Sequence, residues 1–237
     1  MKKTLKKTLI AIIGLFTYPL FTLLNKIQIK GMEVLHKLPQ KKVLFVSNHQ
    51  TYFMEVIAFY HLFSATKWGK KKKLGIPYYL LNPFTEVNYV AAGTTMKSTF
   101  LAQLFTLTGA ITVKRTWTNT PGEERIGLDI GDTRSIVSAI EKNWVITFPQ
   151  GTTTPFAPGR KGTAHIIKQT KALVVPIVID GFSEAFTKKG VKPKKWKTSL
   201  SINIKPPLVI NYEDSVEDIM SQVMDAIEQS DAYKPLT

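Results

Sequence analysis

Two hydrophobic rhythms alternate along this chain. Apolar runs of about four to eight residues mark strands, and apolar positions three and four apart mark helices. Ile27-Gln28-Ile29-Lys30-Gly31 alternates and ends at a turn glycine, which predicts a short strand. Lys42 to Ser47 carries the unbroken run Val43-Leu44-Phe45-Val46, the pattern of a strand covered on both faces. Tyr52 to Phe63 places Val56, Phe59, Tyr60 and Phe63 at helical spacing, and Met96 to Leu107 does so with Phe100, Leu101, Leu104 and Phe105. Gly109 to Arg115 is a short strand ending in two cations. Asp132 or Thr133 is placed to cap a helix with Ile136, Val137 and Ile140 on its apolar face. Trp144 to Phe148 is another central-type strand, followed by a loop and a helix from Ala164 to Lys171. Ala172 to Ile179 is a strand whose Pro176 predicts a kink or a position near the sheet edge. Thr198 to Lys205 alternates as a strand, and Ser215 to Gln229 is a closing helix with Ser215 and Asp218 in capping-box positions. This alternation predicts an α/β fold: a three-layer domain with a largely parallel mixed sheet.

The N-terminus departs from that rhythm. Lys2, Lys3, Lys6 and Lys7 precede an uncharged stretch, Thr8 to Leu24, at the short edge of the roughly 17–25 residues that span a bilayer. A cationic start and an apolar run resemble a signal peptide, but no small-residue cleavage site follows. Pro19 is expected to divide the stretch into two helices, Leu9 to Tyr18 and Leu20 to Lys26, lying in one leaflet, with a single spanning helix as the rival. The net charge of +15 calls for an anionic partner. Lys67 to Lys73, beside Trp68, reads by default as a solvated basic loop and also suits a membrane surface, and Lys188 to Lys197 is a second basic patch around Trp196. They match no nucleic-acid-binding motif, so nucleic acid is not the expected partner. There is no cysteine, which excludes disulfides, a thiol nucleophile and thiolate metal sites. His36, His49, His61 and His165 show no paired-ligand spacing, so no metal is expected.

The candidate chemistry gathers after the second strand, in Ser47-Asn48-His49-Gln50-Thr51-Tyr52-Phe53-Met54-Glu55. A histidine at a strand-to-helix junction with a carboxylate just beyond is a candidate general base with an orienting partner, although a lone histidine is more often structural. Lys114 and Arg115 end a strand where cations can hold a phosphate. Pro149-Gln150-Gly151-Thr152-Thr153-Thr154-Pro155, then Arg160-Lys161-Gly162-Thr163 before a helix, is an anion-binding loop. It is not a P-loop, because the Gly-Lys-Thr order is inverted. His165 is expected to be a packed helix residue, and His61 to lie on the helix after the second strand, away from the chemistry.

Asn48-His49 with a carboxylate beyond, Gly109 to Arg115, Phe148-Pro149-Gln150-Gly151-Thr152 and Val175-Pro176-Ile177 stand in one order. Together they resemble the glycerolipid acyltransferase family that includes bacterial 1-acyl-sn-glycerol-3-phosphate acyltransferases. The resemblance covers roughly His49 to Ile179. It implies transfer of an acyl chain from coenzyme A or acyl-carrier protein to a lyso-lipid hydroxyl at the cytoplasmic membrane face, with no cofactor beyond that co-substrate. It implies residues 1–30 as membrane-associating helices and 31–237 as the catalytic domain. His49 and Glu55 become the catalytic pair. Asn48, Lys114, Arg115, Gln150, Gly151, Thr152, Arg160 and Lys161 become substrate-binding. Two positions depart from the family pattern. The carboxylate comes one residue late, at Glu55 instead of position 54, and a residue shift turns a helical side chain by about 100°. In the Phe-Pro-Glu-Gly-Thr-Arg motif, Gln150 replaces Glu and Thr153 replaces Arg. The default acceptor is lysophosphatidate. An amino-acid-containing lyso-lipid is the alternative, and an inactive lipid-binding member is expected if Glu55 lies beyond reach of His49.

Overall fold

Val43–Ser47 forms the middle strand of a seven-stranded sheet, as a run apolar on both sides requires. The computed structural model describes residues 2–97, 100–114, 130–189 and 191–235. In chain order these form α1 (Lys2–Thr22), β1 (Lys26–Lys30), α2 (Met32–His36), β2 (Val43–Ser47), α3 (Met54–Lys67), a turn of 3₁₀ helix (Pro77–Leu81) and β3 (Val87–Ala92). Then come α4 (Gly93–Met96), α5 (Phe100–Leu107), β4 (Ala110–Val113), α6 (Ile130–Ile140), β5 (Trp144–Thr147), α7 (Lys161–Thr170), β6 (Leu173–Asp180), α8 (Phe182–Ala185), β7 (Ser199–Ile204) and α9 (Val216–Ala226). The strand order is β1-β7-β6-β2-β5-β3-β4, parallel at every pairing except β6 with β7.

Alternation along β2 divides the core into two layers. Val43 and Phe45 join a cluster with Phe21, Phe53, Phe59, Phe63, Trp144 and Phe182, under α1, α2, α3 and α5. Leu44 and Val46 join Ile140, Ile167, Val174, Val223 and Met224, under α6, α7 and α9. Each such side chain contributes about 1.5–3 kcal/mol when fully buried.

The structure revises several expectations. α1 is one helix, long and apolar enough to cross a membrane, with Pro19 inside it. Pro19 lies in the last turn, where its missing N–H removes a single helical bond. Its carbonyl accepts the N–H groups of both Leu23 and Leu24 at 2.9 Å. Ile10, Thr17 and Phe21 are buried, which holds the helix onto α3 on either side of the proline. The Thr17 hydroxyl meets His61 Nε2 at 3.1 Å, and the Tyr79 hydroxyl meets His61 Nδ1 at 2.9 Å. Burial pulls the His61 pKa down to about 3, so the ring is neutral and acts as a structural tie. Residues 26–30, on the N-terminal side of a boundary at 31, pair with β7 as an edge of the sheet. The helix expected from Met96 to Leu107 is two, α4 and α5. Asp132 lies inside the first turn of α6 and accepts the Lys114 N–H at 2.6 Å instead of capping the helix. β6 is an interior strand despite Pro176. The Pro176 carbonyl accepts the Lys205 N–H at 2.9 Å, and the β6–β7 ladder begins only at Ile177. The missing N–H therefore faces the segment that follows β7, where Pro206 and Pro207 need no ladder partner.

Candidate active site

β2 and β6 end side by side, and Asn48 fastens them together. Its amide accepts the Ile179 N–H and donates to the Ile179 carbonyl, each at 2.8 Å. The side chain thus continues the ladder one step past the strand, where a backbone strand would otherwise stop. Gln50 is anchored as well: its side-chain oxygen Oε1 accepts the N–H groups of Phe182 at 2.8 Å and Ser183 at 3.3 Å. His49 lies between these two fixed neighbours, with its ring stacked on Phe148 at 4.1 Å between centroids.

Residues 48–53 form a loop, and α3 begins at Met54. The Thr51 hydroxyl accepts the Met54 N–H at 3.1 Å, so the helix start is capped from the loop. Glu55, in the first turn, folds its carboxylate back over that loop. It accepts Gln50 N–H at 2.8 Å, Thr51 N–H at 2.9 Å and the Thr51 hydroxyl, and it lies 2.8 Å from His49 Nδ1. The extra residue before the carboxylate is therefore absorbed by the loop, and the ground for an inactive reading, a carboxylate out of reach, is absent. Glu55 is wholly buried. Burial alone would raise its pKa, but the facing imidazole and the hydrogen bonds from His49 and Thr51 outweigh it and hold the carboxyl below its ordinary value. An ionised Glu55 fixes the proton of His49 on Nδ1 and leaves Nε2 as the basic nitrogen. Nε2 makes no hydrogen bond to a described residue.

The second half of the site is the turn after β5. Gly151 adopts φ +61, and a Cβ there would lie 2.6 Å from Arg160 Cζ. The Arg160 guanidinium donates to the carbonyls of Gln150 at 3.1 Å and Gly151 at 3.3 Å, closing the turn from behind. Gln150 is buried, and its amide donates to the Ala157 carbonyl at 3.0 Å and to the Gln229 side-chain oxygen at 3.2 Å. That same oxygen accepts the Phe156 N–H at 2.9 Å. The Thr152 and Thr154 hydroxyls meet at 3.2 Å, and the enclosed Thr153 hydroxyl has no hydrogen-bond partner among the described residues.

The structure thus brings Asn48, His49, Glu55, Gln150, Gly151, Thr152 and Arg160 to neighbouring strand ends. Lys161 stands at the start of α7, ion-paired with Glu217 of α9. Lys114 follows β4, three strands from β2, which is roughly 14 Å at the usual strand spacing. Arg115 lies outside the described residues. His165 is exposed on α7 rather than packed. Two participants escape sequence reading. Thr51 clamps Glu55, and its position three residues before the helix start is a usable signal. Gln229, which ties down the Gln150 turn from 79 positions away, carries none.

The crystal structure of the 1-acyl-sn-glycerophosphate (LPA) acyltransferase PlsC from Thermotoga maritima shares this fold. The TM-score is 0.54 at 16% identity, over 93% of this chain and 76% of that one. No curated protein matches the chain by sequence. The acyltransferase family matches residues 26–180, from the first residue of β1 to the last of β6. That span is well over half of the chain and contains both His49 and the Gln150 turn, and the chain belongs to the acyltransferase family.

Proposed function

We propose that the protein moves a fatty acyl chain from a thioester, coenzyme A or acyl-carrier protein, to the hydroxyl of a membrane lyso-lipid, with 1-acyl-glycerol-3-phosphate as the acceptor. The observation that carries this reading is the 2.8 Å contact between His49 Nδ1 and a buried, ionised Glu55 at the strand ends. His49 Nε2 takes the acceptor's hydroxyl proton as that oxygen attacks the thioester carbonyl. The tetrahedral intermediate collapses with loss of thiolate, and the imidazolium returns its proton to sulfur. Glu55 holds the tautomer and stabilises the imidazolium between these steps. The chain has no cysteine and no Gly-x-Ser-x-Gly elbow, so the transfer is direct and needs no bound cofactor. The Gly151–Thr152 backbone, shaped by Arg160, receives the anionic head, with Lys114, Arg115 and Lys161 adding positive potential.

A second acceptor reading rests on the same turn. Gln150 is directed inward to Ala157 and Gln229, and the Thr153 hydroxyl has no partner among the described residues, so the head-group contacts differ from those of the Glu-Gly-Thr-Arg pattern. A lyso-lipid with an amino-acid head fits that change. α1 lies flat in the cytoplasmic leaflet, because the face bearing Ile10, Thr17 and Phe21 is already covered by the domain, while Leu5, Ile12, Leu15 and Phe16 are exposed.

The test offers both thioester donors and a panel of lyso-lipids to wild type and His49→Ala. Turnover is expected with at least one pair and should fall by about a hundred- to ten-thousand-fold in the variant. An unchanged rate would overturn the assignment of the base.

A further inference from the structure

The proposed acyl-transfer steps use no residue of the lysine-rich turn between α8 and β7, yet it is built as a fixed platform. Phe186 and Pro193 are bridged, and Thr187 N–H donates to the Lys192 carbonyl at 3.0 Å. The N–H groups of Lys194 and Lys195 both reach the Ala185 carbonyl, at 2.7 and 3.3 Å. Lys197, at φ 57, donates its N–H to the Leu24 carbonyl at 2.7 Å, which ties the turn to the end of α1. This scaffold holds Lys192, Lys194, Lys195 and Lys197 exposed around Trp196, which is 60% exposed. Among the described residues, Lys195 alone of these has an acidic partner, Glu184 at 3.8 Å. Leu23, 76% exposed, lies next to Leu24.

We infer that Lys192–Lys197, with Trp196 and Leu23, is a docking surface for an anionic phospholipid bilayer, and that it sets the mouth of the site against that bilayer. The inference rests on the acyl-transfer reading in one respect: it takes the acceptor to reside in a membrane. A solvated loop would account for lysines alone. It gives no reason for a backbone tied at four points or for an indole held among them. An acidic protein would match the charges and leave Trp196 and Leu23 without a counterpart. A bilayer accounts for all three. Its phosphates meet the lysines, its glycerol level accepts a tryptophan ring, and its acyl region takes Leu23. The surface adjoins the end of α1 through the Lys197–Leu24 bond, and Leu5, Ile12, Leu15 and Phe16 of that helix are exposed as well. The connection to the chemistry is direct: Tyr52, three residues beyond His49, donates its N–H to the Lys188 carbonyl at 2.9 Å.

The test uses the full chain, with vesicles of phosphatidylcholine alone and of phosphatidylcholine mixed with phosphatidylglycerol. Lys194→Gln, Lys195→Gln and Lys197→Gln are combined in one variant. Each lysine at an anionic surface contributes roughly five-fold, so partitioning onto the anionic vesicles should fall by roughly a hundredfold, with little change on neutral ones. A blue shift of tryptophan fluorescence on adding anionic vesicles should be present in wild type and reduced in Trp196→Phe, a variant that keeps the aromatic volume. Unchanged vesicle binding in the triple variant overturns the inference. So does an equal loss on neutral vesicles. So does intact vesicle binding with a selective loss of activity toward the carrier-protein donor, which would assign the surface to an acidic protein. A selective loss on anionic vesicles in a protein that acylates no lyso-lipid sustains the docking surface and overturns the reading of the catalytic site instead.

Discussion

The two halves of the site are made in different ways. The half around His49 is a closed network of side chains, in which a buried carboxylate is satisfied by two backbone N–H groups, a hydroxyl and the imidazole. The half around Gly151 is a backbone turn, held from behind by Arg160 and from the side by Gln229. The first grows from the aromatic face of the sheet through α3, and the second from the aliphatic face through α7 and the chain that follows α9. The difference teaches where each half is vulnerable. Damage to the first is chemical and should appear in kcat. Damage to the second is geometric and should appear in the acceptor's KM.

The largest expected effect that would break this division is at Glu55. Glu55→Gln keeps the shape and an acceptor oxygen but removes the charge that stabilises the imidazolium. Steady-state kinetics should show kcat lowered on the order of a hundredfold or more, with acceptor KM little changed. The same variant has a signature in stability. The folded-state pKa of Glu55 lies below the ordinary 4.5, so the unfolded chain binds more protons in the window beneath that value. Wild type should lose stability as pH falls through that window, and Glu55→Gln should lose less. Urea midpoints measured at neutral and acid pH check this.

Gly151→Ala comes next. It must take a left-handed backbone and displace the Arg160 guanidinium, which is close enough to meet the new Cβ. Acceptor KM should rise on the order of tenfold while kcat moves less, because reshaping the turn weakens its hold on the anionic head. A kcat loss like that of Glu55→Gln would mean that the turn takes part in the chemical step. The smallest effect is expected at Gln229→Ala, which releases Gln150 and Phe156 but leaves Arg160 in place. Acceptor KM should rise by about three- to fivefold, with Gln229→Glu, which keeps the acceptor oxygen, recovering part of it. Equal losses with every acceptor tested would mark Gln229 as a fold residue alone.

Much of the architecture was legible because it rests on local rules. The unbroken apolar runs at Val43–Val46 and at Trp144 have to be central, since only a doubly covered sheet hides both faces. The capping box at Ser215 marks the start of α9, where Asp218 N–H donates to the serine hydroxyl at 3.0 Å. Prolines misled for one reason in both places: a proline removes a bond only if that bond is wanted. Pro19 sits where its helix is ending, and the missing N–H of Pro176 faces the chain that follows β7, beyond the start of the β6–β7 ladder at Ile177. The contact of Glu55 with His49 was beyond a helical-wheel argument, because the intervening residues belong to a loop whose shape Thr51 sets. Gln229 was out of reach altogether, since a lone glutamine after a helix has no pattern that points across the sheet to Gln150.

β1 gives the N-terminal helix a second significance. The strand that follows α1 covers one edge of the sheet, with Lys26, Gln28 and Lys30 turned outward. Charged outward positions on a terminal strand discourage pairing with another copy. A chain trimmed of its first thirty residues to rid it of apolar surface would lose that guard. It would present β7, with Leu200, Ile202 and Ile204, as a bare template for strand addition. The segment that carries the exposed apolar residues is thus also the one that shields the sheet from aggregation.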